Sequence, residues 1–257
     1  MVKNLFFIFL AFLLSSCSTT APVIKYYDPA MLGALTYMPK PLSFDSLNVS
    51  NYISGGYIQI TAPYTKTGIQ DVGNLAQIAF SRAHTFKNIN FAYGIDGFAG
   101  GYHNSFLEPG NIDYFKNKSV FGFQLKSSVN TFITSEFYDF RIIGADFSYS
   151  KEYGSFSTFR KDIIGREDFY SIPETGLFSA GLSSEIIFRG RKSSNKQYGL
   201  KLGFQNTFGN LLYQGFGVHS EKQRRLEATI AVYIQLNKYF LIMEGSRGGR
   251  INLGYRF

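Results

Sequence analysis

Apolar and polar residues alternate along most of the chain from about residue 52, and this period of two strongly restricts the fold. Successive side chains of a β-strand point to opposite faces, so the alternation predicts strands with one apolar and one polar face. Residues 178–189 and 226–236 show the clearest pattern. Together with weaker segments, about ten strands are predicted, near 52–62, 74–83, 88–101, 121–126, 143–149, 178–189, 198–205, 226–236, 239–246 and 250–257.

The connections between these segments alternate in length along the chain. The first set holds the odd-numbered gaps, namely 63–73, 102–117, 151–177, 209–225 and 247–249. The gaps between them are 84–87, 130–137, 190–196 and 237–238. Four of the five gaps in the first set are longer than every gap in the second. Barrels of the outer membrane show this order, with short periplasmic turns and long external loops.

Composition favours a membrane barrel over a soluble β-sandwich, the alternative that alternation alone leaves open. Charged residues make up 17% of the chain, below the roughly 25% of soluble domains, whereas aromatic residues reach 18%. The polar strand faces carry both signs of charge, including Lys126, Asp146, Glu185 and Lys201. We predict an all-β fold, a closed antiparallel up-and-down transmembrane barrel of about ten strands (eight to twelve). Opposite charges are expected to pair inside it and to fill the interior.

The last eight residues, Arg250 to Phe257, form an alternating strand that ends on phenylalanine. Ile251, Leu253 and Tyr255 share the face of Phe257. This ending resembles the final strand of bacterial outer-membrane barrels, which the barrel-assembly machinery recognises. The resemblance implies an outer-membrane location with the carboxyl terminus in the periplasm.

The start of the chain has the form of a secretory signal. A short basic lead precedes an apolar run at 5–14, whose helix of about 15 Å is too short for a bilayer core of about 30 Å. Residues 14–17 read Leu-Ser-Ser-Cys and resemble the lipobox of bacterial lipoproteins. The resemblance implies that 1–16 is a signal peptide and that Cys17 is lipidated. An ordinary signal peptide, cut within a residue of Cys17, is the alternative.

Residues 17–50 are predicted to form an irregular, lipidated tether that precedes a barrel at 51–257. Four of the seven prolines fall in this range, and proline disfavours helix. The part at 23–44 is too apolar for a solvated linker. We expect it to pack at the periplasmic mouth of the barrel or to bind an envelope protein. No acidic residue follows Cys17 directly. The resemblance to bacterial lipoproteins therefore implies an anchor in the inner leaflet of the outer membrane. With an even number of strands, both termini are then expected in the periplasm.

The residues needed for catalysis or metal binding do not form a familiar pattern. The histidines are His84, His103 and His219, and the last two lie in predicted outer loops close to Ser105 and Ser220. Neighbouring residues on a strand point to opposite faces, so His219 and Ser220 could not easily share a proton. The sequence has no histidine pair at ligand spacing, no cysteine cluster and no acidic calcium loop. We therefore expect no catalytic, cofactor-binding or metal site.

Basic residues cluster in the predicted outer loops, in keeping with a formal net charge of +8. Arginine can bind a phosphate through two parallel hydrogen bonds, which makes lipopolysaccharide phosphates the expected anionic partner. The candidate contacts are Lys222, Arg224, Arg225 and Arg247. Arg160 and Arg250 belong to the same predicted surface. A secreted, lipidated chain does not favour nucleic acid.

These observations predict a small outer-membrane β-barrel lipoprotein. Its aromatic strands and lipobox resemble those of uncharacterised barrel lipoproteins of Bacteroidota. We expect a structural or accessory role in an envelope complex and no enzymatic activity. Two alternatives stay open: a narrow pore for small solutes, and a lipid-A-modifying hydrolase or acyltransferase.

Overall fold

The alternating segments form strands that pair with one another through backbone hydrogen bonds. The computed structural model describes residues 25–31, 36–42, 48–61, 72–103, 117–164, 169–190, 193–208, 211–214, 218–221, 225–246 and 248–257. In chain order the strands are β1 (Lys25–Tyr27), β2 (Val49–Thr61), β3 (Val72–Thr85), β4 (Ile89–His103), β5 (Lys118–Thr134), β6 (Tyr138–Tyr153), β7 (Phe169–Ser171), β8 (Gly176–Gly190), β9 (Ser193–Phe208), β10 (Leu211–Gln214), β11 (Val218–Glu221), β12 (Arg225–Leu236), β13 (Tyr239–Gly245) and β14 (Gly248–Arg256). A short helix, α1 (Ser155–Asp162), follows β6.

Ten of these strands close into an antiparallel barrel, namely β2 to β6, β8, β9 and β12 to β14. Each barrel strand pairs with the next one along the chain. The last strand, β14, returns to β2, with Arg250 opposite Ile58 and Arg256 opposite Tyr52. Closure removes the free strand edges that would otherwise expose unpaired backbone groups. The predicted fold class, a closed up-and-down barrel of ten antiparallel strands, is confirmed.

The barrel wall is apolar on its outside and polar on its inside. In β9, Leu202 and Phe204 are 53% and 60% exposed, whereas Lys201 and Gln205 are 7% and 1% exposed. Every barrel strand presents such a residue outward: Ile53, Ile78, Ile95, Phe121, Ile143, Leu182, Leu202, Ile230, Met243 and Leu253. Water-soluble barrels have the reverse arrangement, because their apolar faces pack inside.

The two ends of the barrel differ. Turns of two or three residues, at 86–88, 135–137, 191–192 and 237–238, join the strands at one end, which we call the short-turn mouth. The other end, which we call the long-loop mouth, holds the strand ends that the longer connections 62–71, 104–117, 154–175 and 209–224 join, together with the short connection 246–247. Phe257 ends the chain at the short-turn mouth, where its backbone and that of Asn51 exchange hydrogen bonds of 3.0 and 3.1 Å.

The long-loop mouth carries secondary structure that the alternation does not predict. α1 begins after Gly154, whose φ of 111° lies in the region that favours glycine. Phe156 and Phe159 share one face of this helix and are buried in a cluster with Tyr27 and Tyr102. Strands β1, β7, β10 and β11 form a separate four-stranded sheet in the order β1-β7-β10-β11. Among the described residues, no helix has the length and apolarity needed to cross a membrane.

The described parts of the N-terminal tether lie inside the barrel, whereas the sequence predicted packing at the periplasmic mouth or on an envelope protein. We call its described parts, 25–31 and 36–42, the luminal segment. Most of its side chains are enclosed: Met31, Tyr37, Met38, Lys40 and Leu42 are each 3% exposed or less. The described residues of 23–44 are enclosed by the barrel, and binding of an envelope protein through this range stays a prediction. The segment is too apolar for water, and the closed barrel offers it both apolar contacts and hydrogen-bond acceptors.

The luminal segment passes from one mouth to the other. Tyr27 lies at the long-loop mouth, since β1 pairs with β7 and the Tyr27 ring packs against α1. Tyr37 lies in a second apolar cluster, toward the short-turn mouth. The Pro41 carbonyl then accepts a hydrogen bond of 3.0 Å from the Thr85 hydroxyl, beside a short turn. From there the chain enters β2 at Val49, so it crosses the lumen before it builds the wall.

Candidate functional site: the filled lumen

The lumen is lined by charged and amide side chains from alternate positions of the strands, and its described charges are largely paired. Buried carboxylates and cations lie 2.5 to 2.8 Å apart in the pairs Asp96–Lys126, Glu185–Arg141, Glu152–Arg160, Asp139–Arg189 and Asp146–Lys201. This confirms the prediction that opposite charges pair inside the barrel. Pairing matters because a buried charge without a partner loses its hydration and gains nothing in return. The luminal segment binds to three of these pairs, at three depths.

The uppermost contact, at the long-loop mouth, is the Glu152 cluster of Ala30, Glu152 and Arg160. The Ala30 backbone N–H donates to Glu152 Oε2 at 2.7 Å, and Arg160 Nη2 donates to Oε1 at 2.8 Å. The Arg160 guanidinium also donates to the carbonyl oxygens of Ile172 and Glu174. One buried arginine on α1 thus connects the helix, strand β6, the connection before β8 and the luminal segment.

The middle contact is the Asp96 cluster of Thr36, Gln77, Asp96, Gln124 and Lys126. The Thr36 hydroxyl lies 2.8 Å from Gln124 Oε1 and 3.2 Å from Asp96 Oδ2. Asp96 also accepts hydrogen bonds from Gln77 Nε2 at 2.7 Å and from Lys126 Nζ at 2.8 Å. The segment therefore meets a network that already joins β3, β4 and β5.

The lowest contact is the Glu185 cluster, built on the pair Glu185–Arg141. The Tyr37 hydroxyl and the Arg141 guanidinium both donate to the Glu185 carboxylate. The Tyr37 backbone N–H donates to Glu244, and Arg141 Nη2 donates to the Lys40 carbonyl at 3.4 Å. The Arg141 and Glu185 side chains are each 1% exposed. At this depth the luminal segment occupies the centre of the ionic network.

Aromatic packing supports the same arrangement. The Tyr37 ring lies 5.3 Å from the Tyr233 ring, and Lys201 Nζ lies 6.0 Å from the centre of the Tyr37 ring. At the other mouth the Tyr27 ring meets Phe159 edge-on at 5.1 Å. Aromatic pairs at such separations are favourable beyond the area they bury, and cations are attracted to ring faces. The segment is packed as a core element of the barrel.

Exchanging Arg160 for lysine tests whether the planar guanidinium holds the Glu152 cluster together. Lysine keeps the charge but lacks the planar fork whose two separate nitrogens donate to Glu152 and to the two carbonyls. We expect Arg160→Lys to lower the free energy of unfolding by about 1–3 kcal/mol. The matched control is Lys161→Arg, at the exposed next residue of α1. Denaturant unfolding in micelles, followed by circular dichroism, measures both; equal effects would contradict the buried role of Arg160.

Two arginines predicted for the outer surface lie inside the barrel instead. Arg160 is 0% exposed and belongs to the Glu152 cluster. Arg250 is 7% exposed, and its Nη1 lies 3.4 Å from Glu244 Oε2. The alternation places Arg250 on the inward face, and the fold of α1 turns Arg160 inward. Neither residue is available to phosphates outside the barrel.

The other predicted site residues fall largely outside the described residues. Cys17, Lys222, Arg224 and Arg247 lie beyond them. Arg225 is the first residue of β12, opposite Thr207 at the long-loop mouth. Lipid attachment at Cys17 and phosphate binding at the loop residues stay predictions.

The described histidine side chains sit outside the lumen. The His84 ring stacks on Tyr93 at 5.9 Å, and His103 Nδ1 lies 2.5 Å from Asn117 Oδ1. His219 lies in β11. Within the described ranges, no group of three or more histidine, cysteine, aspartate or glutamate residues is arranged to hold a metal ion.

The residues that fill the lumen, above all Thr36 and Tyr37, were not predicted as site residues. The available signal was the apolar character of 23–44, which ruled out a solvated linker. This signal did not indicate where the segment packs, because its hydrogen-bond acceptors Asp96, Glu185 and Glu244 are far away in the sequence.

Comparison with solved structures returns bacterial barrels. An outer membrane channel from Pseudomonas putida F1 matches with a TM-score of 0.42 and 11% identity, over 84% of this chain and 98% of that one. The translocator domain of the autotransporter NalP from Neisseria meningitidis matches with a TM-score of 0.38 and 10% identity, over 84% and 91%. A mutant of the TodX monoaromatic hydrocarbon channel matches with a TM-score of 0.32 and 9% identity, over 90% of this chain and 72% of that one. At these values the similarity carries no argument about function. No protein-family model and no curated protein matches the chain.

Proposed function

We propose that this protein is an outer-membrane β-barrel lipoprotein whose lumen is closed by its own N-terminal segment. Its role is structural or accessory in the cell envelope, without enzymatic activity. The observation that carries the proposal is the attachment of the luminal segment at three depths, through Glu152, Asp96 and Glu185. A chain fixed in this way leaves no continuous path for a solute, whereas a pore needs one.

Support for the membrane location comes from the outer surface of the barrel. Apolar side chains cover it on all ten strands, as lipid contact requires. Exposed aromatic residues gather where the strands reach the short-turn mouth: Phe86, Phe137, Tyr138, Phe188, Tyr198, Tyr239 and Phe257. Aromatic girdles at this position are typical of membrane barrels, because aromatic rings favour the boundary between lipid and water.

Conductance in planar bilayers tests the closure directly. We expect the wild-type protein to insert without steady current, since the luminal segment blocks the interior. A variant that lacks residues 25–42 should conduct in discrete steps. Glu185→Gln keeps the segment but removes the charge of the carboxylate that accepts the Tyr37 hydroxyl, and it should give brief and rare openings. Steady current through the wild type would contradict the closure and favour the narrow-pore alternative.

The accessory role has its own test. Extraction in mild detergent should recover the protein with another envelope component, bound outside the lumen or through the long-loop mouth. Recovery of no partner would count against this role.

Mass spectrometry of lipid A, with and without the protein, addresses the remaining alternative of a lipid-A-modifying enzyme. Contact between lipopolysaccharide phosphates and the loop residues Lys222, Arg224, Arg225 and Arg247 is part of the proposal.

A further inference from the structure

The two ends of the described chain lie at opposite mouths of the barrel. Phe257 is hydrogen-bonded to Asn51 at the short-turn mouth. Lys25 begins β1, which pairs with β7 in the connection 154–175, at the long-loop mouth. This differs from the expectation that both termini share the periplasmic side. The difference arises because the chain crosses the lumen once before the first barrel strand, and this crossing adds one passage to the even number of strands.

The crossing is fixed by contacts at three depths of the lumen. Ala30, Thr36 and Tyr37 bond successively to Glu152, Asp96 and Glu185, from the long-loop mouth toward the short-turn mouth. The barrel wall is closed by β14 and β2, so the segment has no lateral exit. Lys25, where the described part of the segment begins, therefore lies at the open long-loop mouth.

We propose that the chain before Lys25 is displayed at the cell surface, and that an anchor at Cys17 enters the outer leaflet instead of the inner one. The proposal rests on the proposed function, since outer-membrane barrels direct their long loops outward and their short turns to the periplasm. It adds the side of the membrane on which the N-terminal end lies, which neither the signal sequence nor the barrel strands specify.

The length of the segment before β1 allows such an anchor. Ten strands about 4.8 Å apart and tilted by about 40° form a barrel with a radius of about 10 Å. Lys25 lies eight residues after Cys17, and eight extended residues span about 26–29 Å. The chain can therefore reach from the lumen over the rim to lipid outside the wall.

Cysteine labelling of intact cells with a membrane-impermeant maleimide tests the display. The full-length variants are Thr20→Cys, Lys161→Cys as the marker of the long-loop mouth, and Lys87→Cys as the marker of the short-turn mouth. Lys161 and Lys87 are both exposed. We expect Thr20→Cys and Lys161→Cys to be labelled in intact cells, and Lys87→Cys only after permeabilisation. The wild type sets the background, because a lipidated Cys17 has no free thiol; labelling of the wild type would overturn the anchor at Cys17.

The pattern of labelling separates the two proposals. If Lys161→Cys is labelled in intact cells and Thr20→Cys is not, the surface display is overturned while the orientation of the barrel stands. If Lys161→Cys is unlabelled in intact cells, the orientation assumed in the proposed function fails, and the surface display fails with it.

Discussion

Glu185→Gln is expected to lower the free energy of unfolding by about 3–5 kcal/mol, the range for breaking a buried ion pair by removing one partner. Glutamine keeps the size of the side chain but leaves the Arg141 guanidinium, 1% exposed, without its counter-charge. It also weakens the acceptor of the Tyr37 hydroxyl. Guanidinium unfolding in micelles, followed by circular dichroism, measures the loss.

Glu136→Gln is the matched control for this change. Glu136 lies in the turn 135–137 at the short-turn mouth and is exposed. The same chemical substitution there should change stability by no more than about 0.5 kcal/mol. Equal small effects at residues 136 and 185 would contradict the role of Glu185 as a structural centre of the lumen.

A double-mutant cycle separates the contribution of the luminal segment from that of the ion pair. Tyr37→Phe removes the hydroxyl that donates to Glu185 and keeps the ring against Tyr233. If this bond holds the segment, Tyr37→Phe should cost less in the Glu185→Gln background than in the wild type. Residues in direct contact commonly show interaction energies of about 0.5–3 kcal/mol. Strict additivity would mean that the tyrosine is held by packing alone.

Leu202→Arg is expected to destabilise the barrel in lipid by about 2–4 kcal/mol, the range for a basic residue at the middle of a membrane. Leu202 is 53% exposed on the outer face of β9 and lies opposite Ser184 and Ile230, midway between the two mouths. An arginine there would place its charge in hydrocarbon. Unfolding titrations in lipid vesicles provide the measurement.

Leu226→Arg is the control at a different depth. Leu226 also points outward and is 72% exposed, but it lies opposite Asn206, close to the long-loop mouth. At the boundary between lipid and water the same substitution should cost about 0–1 kcal/mol. A barrel that stands in water would tolerate both arginines equally, so the difference between them reports on the membrane.

The strands and their faces could be predicted because they depend on local sequence. Glu185 and Lys201 point inward, and Leu182 and Leu202 point outward, as the period of two requires. A shift of one residue would reverse every side chain, so a clear alternation also sets the register. The alternating order of long and short connections also indicated which strand ends lie at the same mouth of the barrel. Together these features were enough for a closed ten-stranded barrel.

The structure at the long-loop mouth could not be predicted in the same way. α1 has eight residues, too few for a helix that is stable by itself. It is held by Phe156 and Phe159, which pack against Tyr102 of β4 and Tyr27 of the luminal segment. Strands β1, β7, β10 and β11 have three or four residues each, and their pairing joins distant parts of the chain.

By itself, the sequence determined the class of fold, because alternation along the strands and the short turns at one mouth depend only on neighbouring residues. Only the tertiary structure decided what occupies the interior. The lumen exists only after β14 has paired with β2, and its acceptors come from strands that are remote in sequence. Glu152 is 122 residues from Ala30, and Glu185 is 148 residues from Tyr37. No local pattern can indicate such partners, so an apolar, proline-rich segment that reads as an external tether became the core of the barrel.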